Sequence, residues 1–380
     1  MQQSTRQQCV MIIAGEASGD LHGANLVRAM QEKKSNLFFC GIGGQAMKAA
    51  GVRILVDAST LAVVGITEVL AKLPSLIKGM AAAKRLLKAL KPDLLILIDF
   101  PDFNLRVATL AKRLGVPVLY YISPQVWAWR SGRVKKIRKL VDHVAVILPF
   151  EEEFFKSQNI PVTFVGHPLL DSRGDDFTQK PVCHAGADRT IGLLPGSRDR
   201  EIARHLPVML DAARLIRERA GNVKFIVSVA PSVEKESIEK IISQASDADC
   251  YETICQGVGK IFQQSSLVIA ASGTVTLQAA LAGTPLVIIY KVSPLTYWLG
   301  RALIKVDTVS LVNLIAGRRV VPELLQGDAT ADKIADVTAE MLNDRQYLEK
   351  VISELGDVRD TLGSPGASVR VADIADKMMY

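Results

Sequence analysis

The sequence is poor in aromatic residues and has no paired cysteines, and both features narrow the class of protein. Aromatic residues make up 6% of the 380 residues, whereas hydrophobic residues reach 49%. This balance is typical of a globular α/β protein with a core of Ala, Val, Ile and Leu. The cysteines are odd in number and form no CxxC pair: Cys9, Cys40, Cys183, Cys250 and Cys255. We therefore expect buried thiols in a reducing compartment.

Signatures of several enzyme classes are also absent. No GxxxxGK followed by Ser or Thr occurs, which excludes a P-loop kinase or ATPase. No GxSxG nucleophile elbow occurs either, so a hydrolase triad is not predicted. The histidines do not have the spacing of metal ligands: His22, His143, His167, His184 and His205. No metal site is therefore predicted.

Charge and hydropathy indicate the kind of partner. The net charge of +7 at pH 7 favours anionic partners. The apolar run Val10–Ala14 is too short for the hydrophobic core of a signal peptide, so none is predicted. The window 261–290 carries no charge, but its Gly, Gln and Pro residues predict a buried strand–helix–strand rather than a membrane span.

Strands and helices alternate in both halves of the chain, which predicts an α/β fold with two Rossmann-like, doubly wound domains. The predicted strands cover 9–14, 37–41, 94–98, 116–122 and 143–148, then 191–194, 223–229, 267–271 and 285–290. We place the domains at 1–172 and 173–345, joined by the polar stretch 172–190, with C-terminal helices at 346–380. Ligands of such folds bind beyond the carboxyl ends of strands.

The stretch IGLLPGSRDREI, residues 191–202, contains the first candidate loop. An apolar strand turns through Gly196 and Ser197 into a helix that begins near Arg198. Unpaired N–H groups at a helix N-terminus suit a phosphate, and a cation is unfavourable there unless an anion pairs with it. Ser197 and Glu201 are one residue too far apart for a capping box, which favours ligand binding. The alternative is an ordinary strand–helix junction with a solvated arginine.

A second loop of this kind lies in LVIAASGTVTLQAALAGTPLVIIY, residues 267–290. Ser272, Gly273 and Thr274 open a helix beyond a strand end. Two anion-binding turns in one domain favour a nucleotide diphosphate over a lone phosphate.

Two loops of the first half carry carboxylates. Asp99 follows the all-apolar strand at 94–98, where desolvation raises the pKa of a carboxyl group and makes it a better general base. Its alternative role is a cap for the next helix. The loop AGEASGD, residues 14–20, combines Glu16 and Asp20 with small residues that allow a ligand to approach. Asp20 has the alternative of capping the helix that follows.

An apolar helical stretch at 58–80 and a basic run at 130–139 are candidates for lipid contact. The apolar residues cover much of the helix and include Val64, Ile66, Leu70, Leu73 and Leu76. Basic residues cover the remainder, as in an interfacial helix, with core packing as the alternative. The basic run includes Arg130 and Arg133, and favours an anionic membrane or a substrate phosphate if it is more than a solvated face. No RRM, KH or helix-turn-helix signature accompanies it, so nucleic acid is not predicted.

The glycine-rich GIGGQA at 41–46 formally fits a dinucleotide fingerprint. Gly51 ends the following helix too early for a βαβ unit, so a simple turn is predicted there.

Nine motifs, in order from residue 14 to residue 318, resemble the lipid A disaccharide synthases. They are AGEASGD, VVGITEVL, IDFPDFN, YISPQVWAWR, LPFEEEFF, GHPLLD, LPGSRDREI, SGTVTLQAALAGTP and SLVNLIAGR. The resemblance implies a hexosyltransferase of the GT-B type, with two Rossmann-like domains facing a cleft, and a last helix, 367–379, that packs back on the first domain.

The resemblance also implies the reaction. This is an inverting transfer of 2,3-diacylglucosamine from UDP-2,3-diacylglucosamine to 2,3-diacylglucosamine 1-phosphate, which yields a β(1→6) disaccharide 1-phosphate and UDP in lipid A biosynthesis. No metal or other cofactor is implied, because the UDP-sugar is a substrate. The implied location is the cytoplasmic surface of the inner membrane of a Gram-negative cell, with peripheral attachment.

Individual residues can be matched to the motifs of this family. Asp99 matches the catalytic aspartate, Arg198 the donor-phosphate arginine, and Glu16 and Asn313 positions in the active-site cleft. Gln278 stands where related transferases often carry a glutamate that accepts hydrogen bonds from both ribose hydroxyls. A glutamine can accept one such bond and donate another, so the geometry of the ribose contact is expected to differ. The other nucleotide-sugar residues are Gly196, Ser197, Glu201, Ser272, Gly273 and Thr274, and the other acceptor residues are Ser18, Gly19, Asp20 and Asn104.

The sequence leaves two other functions open. A UDP-sugar 2-epimerase of the same fold would keep both anion-binding turns and need no lipid. A non-enzymatic basic module would bind RNA or lipid through residues 130–139.

Overall fold

A computed structural model of the chain describes residues 7–58, 66–127, 132–171, 189–255, 257–292 and 308–380, with the backbone alone over 66–73. The chain folds into two α/β units, the first made of Met1–Asp171 with Leu362–Tyr380 and the second of Ser172–Thr361. The predicted link at 172–190 lies outside the described residues except for its last two positions.

The first unit is built on a parallel sheet of seven strands in the order β3-β2-β1-β4-β5-β6-β7. The strands are β1 (Gln8–Ala14), β2 (Leu37–Gly43), β3 (Arg53–Asp57), β4 (Leu94–Ile98), β5 (Val118–Tyr121), β6 (His143–Val146) and β7 (Val162–Phe164). Every residue of β4 is buried. A strand without polar residues must be covered on both faces, as in a doubly wound sheet.

Helices cover both faces of this sheet. They are α1 (Ala17–Lys33), α2 (Gln45–Ala49), α3 (Ile66–Leu90), α4 (Pro101–Arg113), α5 (Gly132–Leu140), α6 (Pro149–Ser157) and the C-terminal α14 (Ala367–Met378). Two apolar clusters form the core, one that includes Met11 and Leu95 and another that includes Ile12 and Ile96. Successive residues of β1 and of β4 belong to different clusters, because successive side chains of a strand point to opposite faces of the sheet.

The second unit repeats this plan with six parallel strands in the order β10-β9-β8-β11-β12-β13. The strands are β8 (Arg189–Leu194), β9 (Val223–Ser228), β10 (Tyr251–Ile254), β11 (Leu267–Ala271), β12 (Leu286–Tyr290) and β13 (Glu323–Leu325). The helices are α7 (Asp199–Ala220), α8 (Lys235–Ile242), α9 (Val258–Gln264), α10 (Thr274–Leu281), α11 (Leu311–Ala316), α12 (Ala331–Asn343) and α13 (Arg345–Thr361).

The uncharged window 261–290 holds β11, α10 and β12, and most of their residues are buried. The predicted strand–helix–strand is therefore confirmed. Over the described stretches of the chain, no helix combines the length and apolar character needed to cross a bilayer.

The prediction placed C-terminal helices at 346–380, with the last helix packing back on the first domain, and the structure divides this segment between the two units. α13 packs on α10, α11 and α12 and belongs to the second unit, whereas α14 packs on α1 of the first. Asp171 holds this return, because its carboxylate accepts the N–H groups of Gly366, Ala367 and Ser368 at 2.6, 3.1 and 3.0 Å. A carboxylate at a helix N-terminus satisfies donors that the helix itself leaves unpaired.

Two histidines close to Asp171, His22 and His167, predict that low pH destabilises the first unit. Burial lowers the pKa of His22 to about 4 and that of His167 to about 3, although Asp171 acts in the opposite direction on both. Between these values and the ordinary pKa of about 6.5, the unfolded chain binds protons that the folded chain does not. The neutral histidines therefore contribute their full share to the free energy of unfolding above about pH 6.5. This contribution is lost as the pH falls toward about 4 for His22 and about 3 for His167.

We expect the urea midpoint of unfolding to drop between neutral pH and about pH 5. The double variant His22→Gln/His167→Gln should lose most of this pH dependence, since neither glutamine titrates. An equally steep decline in both proteins would contradict the prediction.

Candidate active site

In each unit the candidate loops leave the carboxyl ends of the two central strands, where the strand order reverses. In the second unit these strands are β8 and β11, which pair in parallel with Leu194 opposite Ala270. Helices α7 and α10 begin just beyond them, at Asp199 and Thr274. Doubly wound sheets bind their ligands at such a point.

A cavity of about 550 Å³ lies at this point of the second unit. Eight of the predicted nucleotide-sugar residues line it: Gly196, Ser197, Arg198, Glu201, Ser272, Gly273, Thr274 and Gln278. Two helix N-termini thus open onto one cavity, and at neither does the N-cap side chain accept a backbone N–H. Unpaired N–H groups and the positive ends of two helix dipoles are available there for an anion.

The turn before α7 is held by Glu201. Its carboxylate accepts the N–H of Ser197 at 3.2 Å and the guanidinium of Arg198 at 2.8 Å. Gly196 has a φ of +125°, and a Cβ there would lie 2.7 Å from Glu201 Oε2, so only glycine fits. No capping box forms here, as the spacing predicted: the N-cap is Arg198, and Glu201 reaches back past it to Ser197. Glu201 therefore lines the cavity and orients Arg198.

His205, which belongs to none of the predicted motifs, supports the same turn. Its buried ring has Nδ1 3.0 Å from the carbonyl oxygen of Pro195, while Nε2 accepts the N–H of Lys291 at 3.0 Å. Because Nε2 is the acceptor, Nδ1 carries the proton and donates to Pro195. Burial lowers the pKa of His205 and so favours this neutral form. A lone histidine on an amphipathic helix gives no signal of this role in the sequence.

Two further loops line the cavity and were also missed. Val229, Ala230 and Pro231 follow β9, and Gly257–Gly259 follows β10. Both leave the carboxyl ends of strands on one side of β8. The glycines at 257 and 259 were a usable signal, but without β10 they could not be placed at a strand end.

Asn313 lies away from this cavity, and its predicted contact with the nucleotide sugar is corrected to a structural role. The side chain is fully buried. Nδ2 donates to the Val321 carbonyl at 2.8 Å and to Glu323 Oε1 at 2.7 Å, and Oδ1 accepts the N–H groups of Val320 and Val321 at 2.7 and 3.0 Å. Both amide protons and both acceptor positions are used, so no group remains for a ligand.

We expect Asn313→Ala to lower the free energy of unfolding by on the order of 3 kcal/mol, because buried donors and the Glu323 carboxylate lose their partners. Urea unfolding measures this effect. The affinity for UDP, measured by calorimetry where both proteins are folded, should be unchanged. A normal urea midpoint with weakened UDP binding would return Asn313 to the ligand site.

In the first unit the corresponding point lies between β1 and β4, where Ala14 pairs with Ile98. Glu16 and Asp99 follow these strands within two residues. The two predicted catalytic carboxylates therefore share one edge of the sheet, close enough for the charge of Glu16 to act on Asp99.

Asp99 lies in a strained turn. Asp99 and Phe100 have left-handed φ values of +44° and +49°, which are uncommon for residues other than glycine. Asn104 Nδ2 and Tyr120 Oη donate to the Asp99 carbonyl oxygen at 2.6 and 2.7 Å and hold the turn. Asn104 is fully buried, so its predicted contact with the acceptor is corrected to a positioning role. Phe100 occupies the N-cap of α4, so Asp99 is not its capping residue.

The surroundings of Asp99 suit a general base. Burial, and then the charge of Glu16, raise the pKa of Asp99 from 3.8 to about 6, against an opposing hydrogen bond from the N–H of Phe100. Such a carboxylate is still mostly ionised at neutral pH and is more basic than an exposed aspartate.

Asp20 is a structural residue rather than an acceptor contact. Its carboxylate is nearly buried and accepts the N–H groups of Gly44, Ala46 and Met47 at 2.6, 2.8 and 3.1 Å. It therefore caps α2 rather than the helix that follows it in sequence. The expectation that no βαβ unit follows 41–46 is wrong, because the short α2 joins the parallel strands β2 and β3. The Asp20 carboxylate nevertheless occupies the place that a dinucleotide phosphate would need at this turn.

Two other predicted acceptor residues lie in the first turns of α1. Gly19 is buried, and a Cβ there would lie 3.4 Å from the Ala14 Cβ. Its predicted contact with the acceptor is corrected to helix–strand packing. Ser18 is exposed beside Glu16, at a helix start where no side chain provides a cap.

The predicted lipid-contact residues are described only in part. Val64 and Arg130 lie outside the described residues, and the side chains of Ile66, Leu70 and Leu73 belong to the backbone-only part of α3. Leu76 is half-buried and packs against the core. Arg133 forms an ion pair with Asp102 at 2.6 Å and is only 11% exposed, so its charge is already partly neutralised.

Comparison with known proteins decides the family. The family model described as lipid-A-disaccharide synthetase matches residues 10–363. The lipid-A-disaccharide synthase of Geobacter metallireducens is 50% identical over 376 residues, which are 97% of each chain. The chain belongs to the lipid-A-disaccharide synthetase family. The synthase of Coxiella burnetii is 41% identical over 375 residues, 98% of each chain. The predicted family is thus confirmed, and its members are enzymes of the hexosyltransferase class.

Solved structures of similar fold include an epimerase and a glycosyltransferase. The UDP-GlcNAc 2-epimerase of Neisseria meningitidis, solved with UDP-GlcNAc, has a TM-score of 0.65 at 12% identity and covers 97% of this chain and 100% of its own. The calicheamicin glycosyltransferase CalG4 has a TM-score of 0.61 at 13% identity, with 98% of each chain covered. At these identities the likeness shows the fold, and the predicted pair of Rossmann-like units of the GT-B type is confirmed.

Proposed function

We propose that the chain transfers 2,3-diacylglucosamine from UDP-2,3-diacylglucosamine to 2,3-diacylglucosamine 1-phosphate, with inversion at the anomeric carbon. The products are a β(1→6) disaccharide 1-phosphate and UDP. Membership of the family supports the reaction class. The observation that carries the donor assignment is the single cavity onto which the N-termini of α7 and α10 both open.

In this proposal the diphosphate of the donor lies between residues 196–198 and 272–274. Main-chain N–H groups and Arg198 stabilise the negative charge that develops on the departing UDP. We propose that these groups perform the task for which other transferases use a metal ion. Gln278 lines the same cavity one turn into α10, where its amide can accept one ribose hydrogen bond and donate another.

Asp99 acts as the general base of the proposed mechanism. It removes the proton of the acceptor 6-hydroxyl as that oxygen attacks the anomeric carbon. Its raised pKa supports this role, and the hydrogen bonds from Asn104 and Tyr120 fix the turn that carries it.

The reaction is tested by incubating the protein with UDP-diacylglucosamine and the monosaccharide 1-phosphate, with and without a chelator, and by measuring product masses. We expect one molecule of UDP for each molecule of disaccharide 1-phosphate, and the same yield with and without the chelator. A free sugar formed without the acyl acceptor would indicate a UDP-sugar 2-epimerase. Undetectable UDP binding in calorimetry would indicate a non-enzymatic basic module.

We further propose that the enzyme works at the cytoplasmic surface of the inner membrane. The described part of the basic run forms α5, whose Val134 and Ile137 are buried. Four cationic side chains of this helix are exposed: Lys135, Lys136, Arg138 and Lys139. An exposed cationic helix supports attachment to anionic lipid, and α5 packs on α4, as does the apolar helix α3.

We expect the double variant Leu73→Ser/Leu76→Ser to reduce recovery with anionic vesicles in a flotation assay, because it removes two apolar side chains from the helix proposed to contact the bilayer. Leu90→Ser, at the far end of the same helix, is the matched control and should float like the parent. Unchanged recovery of the double variant would contradict membrane attachment through α3.

A further inference from the structure

An apolar groove of about 710 Å³ lies between α3 and the start of α4 in the first unit. Leu76, Met80 and Ala81 line it from α3, and Phe100 and Phe103 line it from the other side. Leu76 and Met80 are four positions apart, as are Ile77 and Ala81, so these residues form two adjacent rows along one side of the helix. A concave, largely apolar site of this size is typical of a ligand pocket.

The groove begins beside the proposed base. Phe100 directly follows Asp99, and its ring stacks on Phe103 with centroids 5.1 Å apart. The same ring lies over Gly15, where a Cβ would come within 2.3 Å of Phe100 Cγ. Gly15 in turn precedes Glu16, so the wall of the groove is built into the loops that carry both carboxylates. A ligand with a hydroxyl at Asp99 can therefore extend an apolar substituent into the groove.

The groove is open to solvent and has a cationic rim. Ile77 at its edge is 61% exposed, so the apolar lining continues to the solvent-accessible side of the groove. Lys84 and Arg106 are exposed on the rim, and within the described ranges neither has an ion-pair partner. The one acid of the lining, Asp102, is already paired with Arg133. The rim thus complements a ligand that is both apolar and anionic.

We infer that this groove binds an acyl chain of the acceptor lipid, with the acceptor phosphate near Lys84 and Arg106. Apolar lining selects the chain through burial of its methylene groups, and the two cations select the phosphorylated sugar over an uncharged one. The inference rests on the proposed function and adds to it the site that recognises acylation of the acceptor.

Ala81→Trp tests the inference, because Ala81 is an exposed groove residue and its replacement fills the groove without disturbing the core. Ala89→Trp is the matched control, since Ala89 is exposed on the same helix outside the groove. We expect Ala81→Trp to raise KM for the acylated acceptor about tenfold, roughly the contribution of two buried methylene groups, with the UDP affinity unchanged. Ala89→Trp should have the KM of the parent.

A second measurement does not depend on turnover. A fluorescent long-chain fatty acid should bind the parent and the Ala89→Trp variant equally and the Ala81→Trp variant about tenfold more weakly. Unchanged KM and unchanged probe affinity in Ala81→Trp would overturn the inference. Reduced vesicle flotation of that variant with an unchanged KM for detergent-dispersed acceptor would also overturn it, in favour of bilayer lipid. If the parent protein binds the probe in this groove but forms no disaccharide, the proposed reaction is wrong, whereas the assignment of the groove to an acyl chain stands.

Discussion

Asp99→Asn is expected to lower kcat by roughly 10²–10⁴-fold, because the substitution removes the base that accepts the proton of the acceptor hydroxyl. Asparagine tolerates the left-handed backbone that Asp99 adopts, so the turn and the hydrogen bonds to its carbonyl oxygen are preserved. The affinity for UDP should therefore stay at the parent value. Steady-state kinetics together with calorimetry measure both quantities.

The pH profile separates a base from a merely structural residue. The ionised form of Asp99 is the active one, so kcat/KM should rise with pH through about 6, the raised pKa of this carboxyl group. Glu16→Gln removes one of the two causes of that raised pKa and should move the inflection to lower pH. Glu153→Gln, at an exposed carboxylate of the same unit, should leave the profile unchanged. Equal turnover of Asp99→Asn and parent would remove Asp99 from the mechanism.

Arg198→Gln is expected to lower kcat/KM by roughly 10²–10³-fold and to weaken UDP binding. Glu201 holds the guanidinium at the N-terminus of α7, on the wall of the cavity that also receives the N-terminus of α10. A cation in that position stabilises the transition state more than the bound substrate, because the departing diphosphate carries additional negative charge in the transition state. Arg198→Lys should recover only part of the loss, because an ammonium group cannot make the bidentate contacts of a guanidinium group.

Arg214→Gln is the matched control for this prediction. Arg214 lies on the same helix, pairs with Glu218 and does not line the cavity. Its replacement should leave both kcat/KM and the UDP affinity at parent values. An Arg198→Gln variant with parent-like UDP affinity would place the diphosphate somewhere else.

Hydrophobic pattern alone located the centre of both sheets. All nine predicted strands are present, and the four strands that were missed, β3, β7, β10 and β13, are the edge strands of the two sheets. Central strands are apolar on both faces and stand out in the sequence. Edge strands are covered less, and none of the residues of β7 or β13 is fully buried.

Local sequence also located the loops of the candidate site but not the task of each residue in them. Glycines and small residues after apolar strands marked 14–20, 196–198 and 272–274, and all three loops lie at the strand ends where the sheet order reverses. Asp20 was assigned to a ligand because it lies in a loop of small residues beside Glu16, and Asn313 because it matches a motif of the family. Their partners, the main chain of α2 and the 320–323 segment, are 24 and 7 or more residues away in sequence, and no local pattern reveals that they meet.

The sequence by itself determined the fold class and the positions of the two turns proposed to bind the diphosphate, because both depend on short runs of residues whose periodicity or small size is visible locally. It determined the family through nine motifs that occur in order between residues 14 and 318. The tertiary structure alone decided which polar side chains are free for chemistry. That question depends on hydrogen bonds between distant segments, which leave Asp99 half-buried beside Glu16 and commit Asp20 and Asn313 to the main chain. It also placed Phe100 over Gly15 and so built the acyl groove against the catalytic turn, a contact made only when β1 and β4 become neighbours in the sheet.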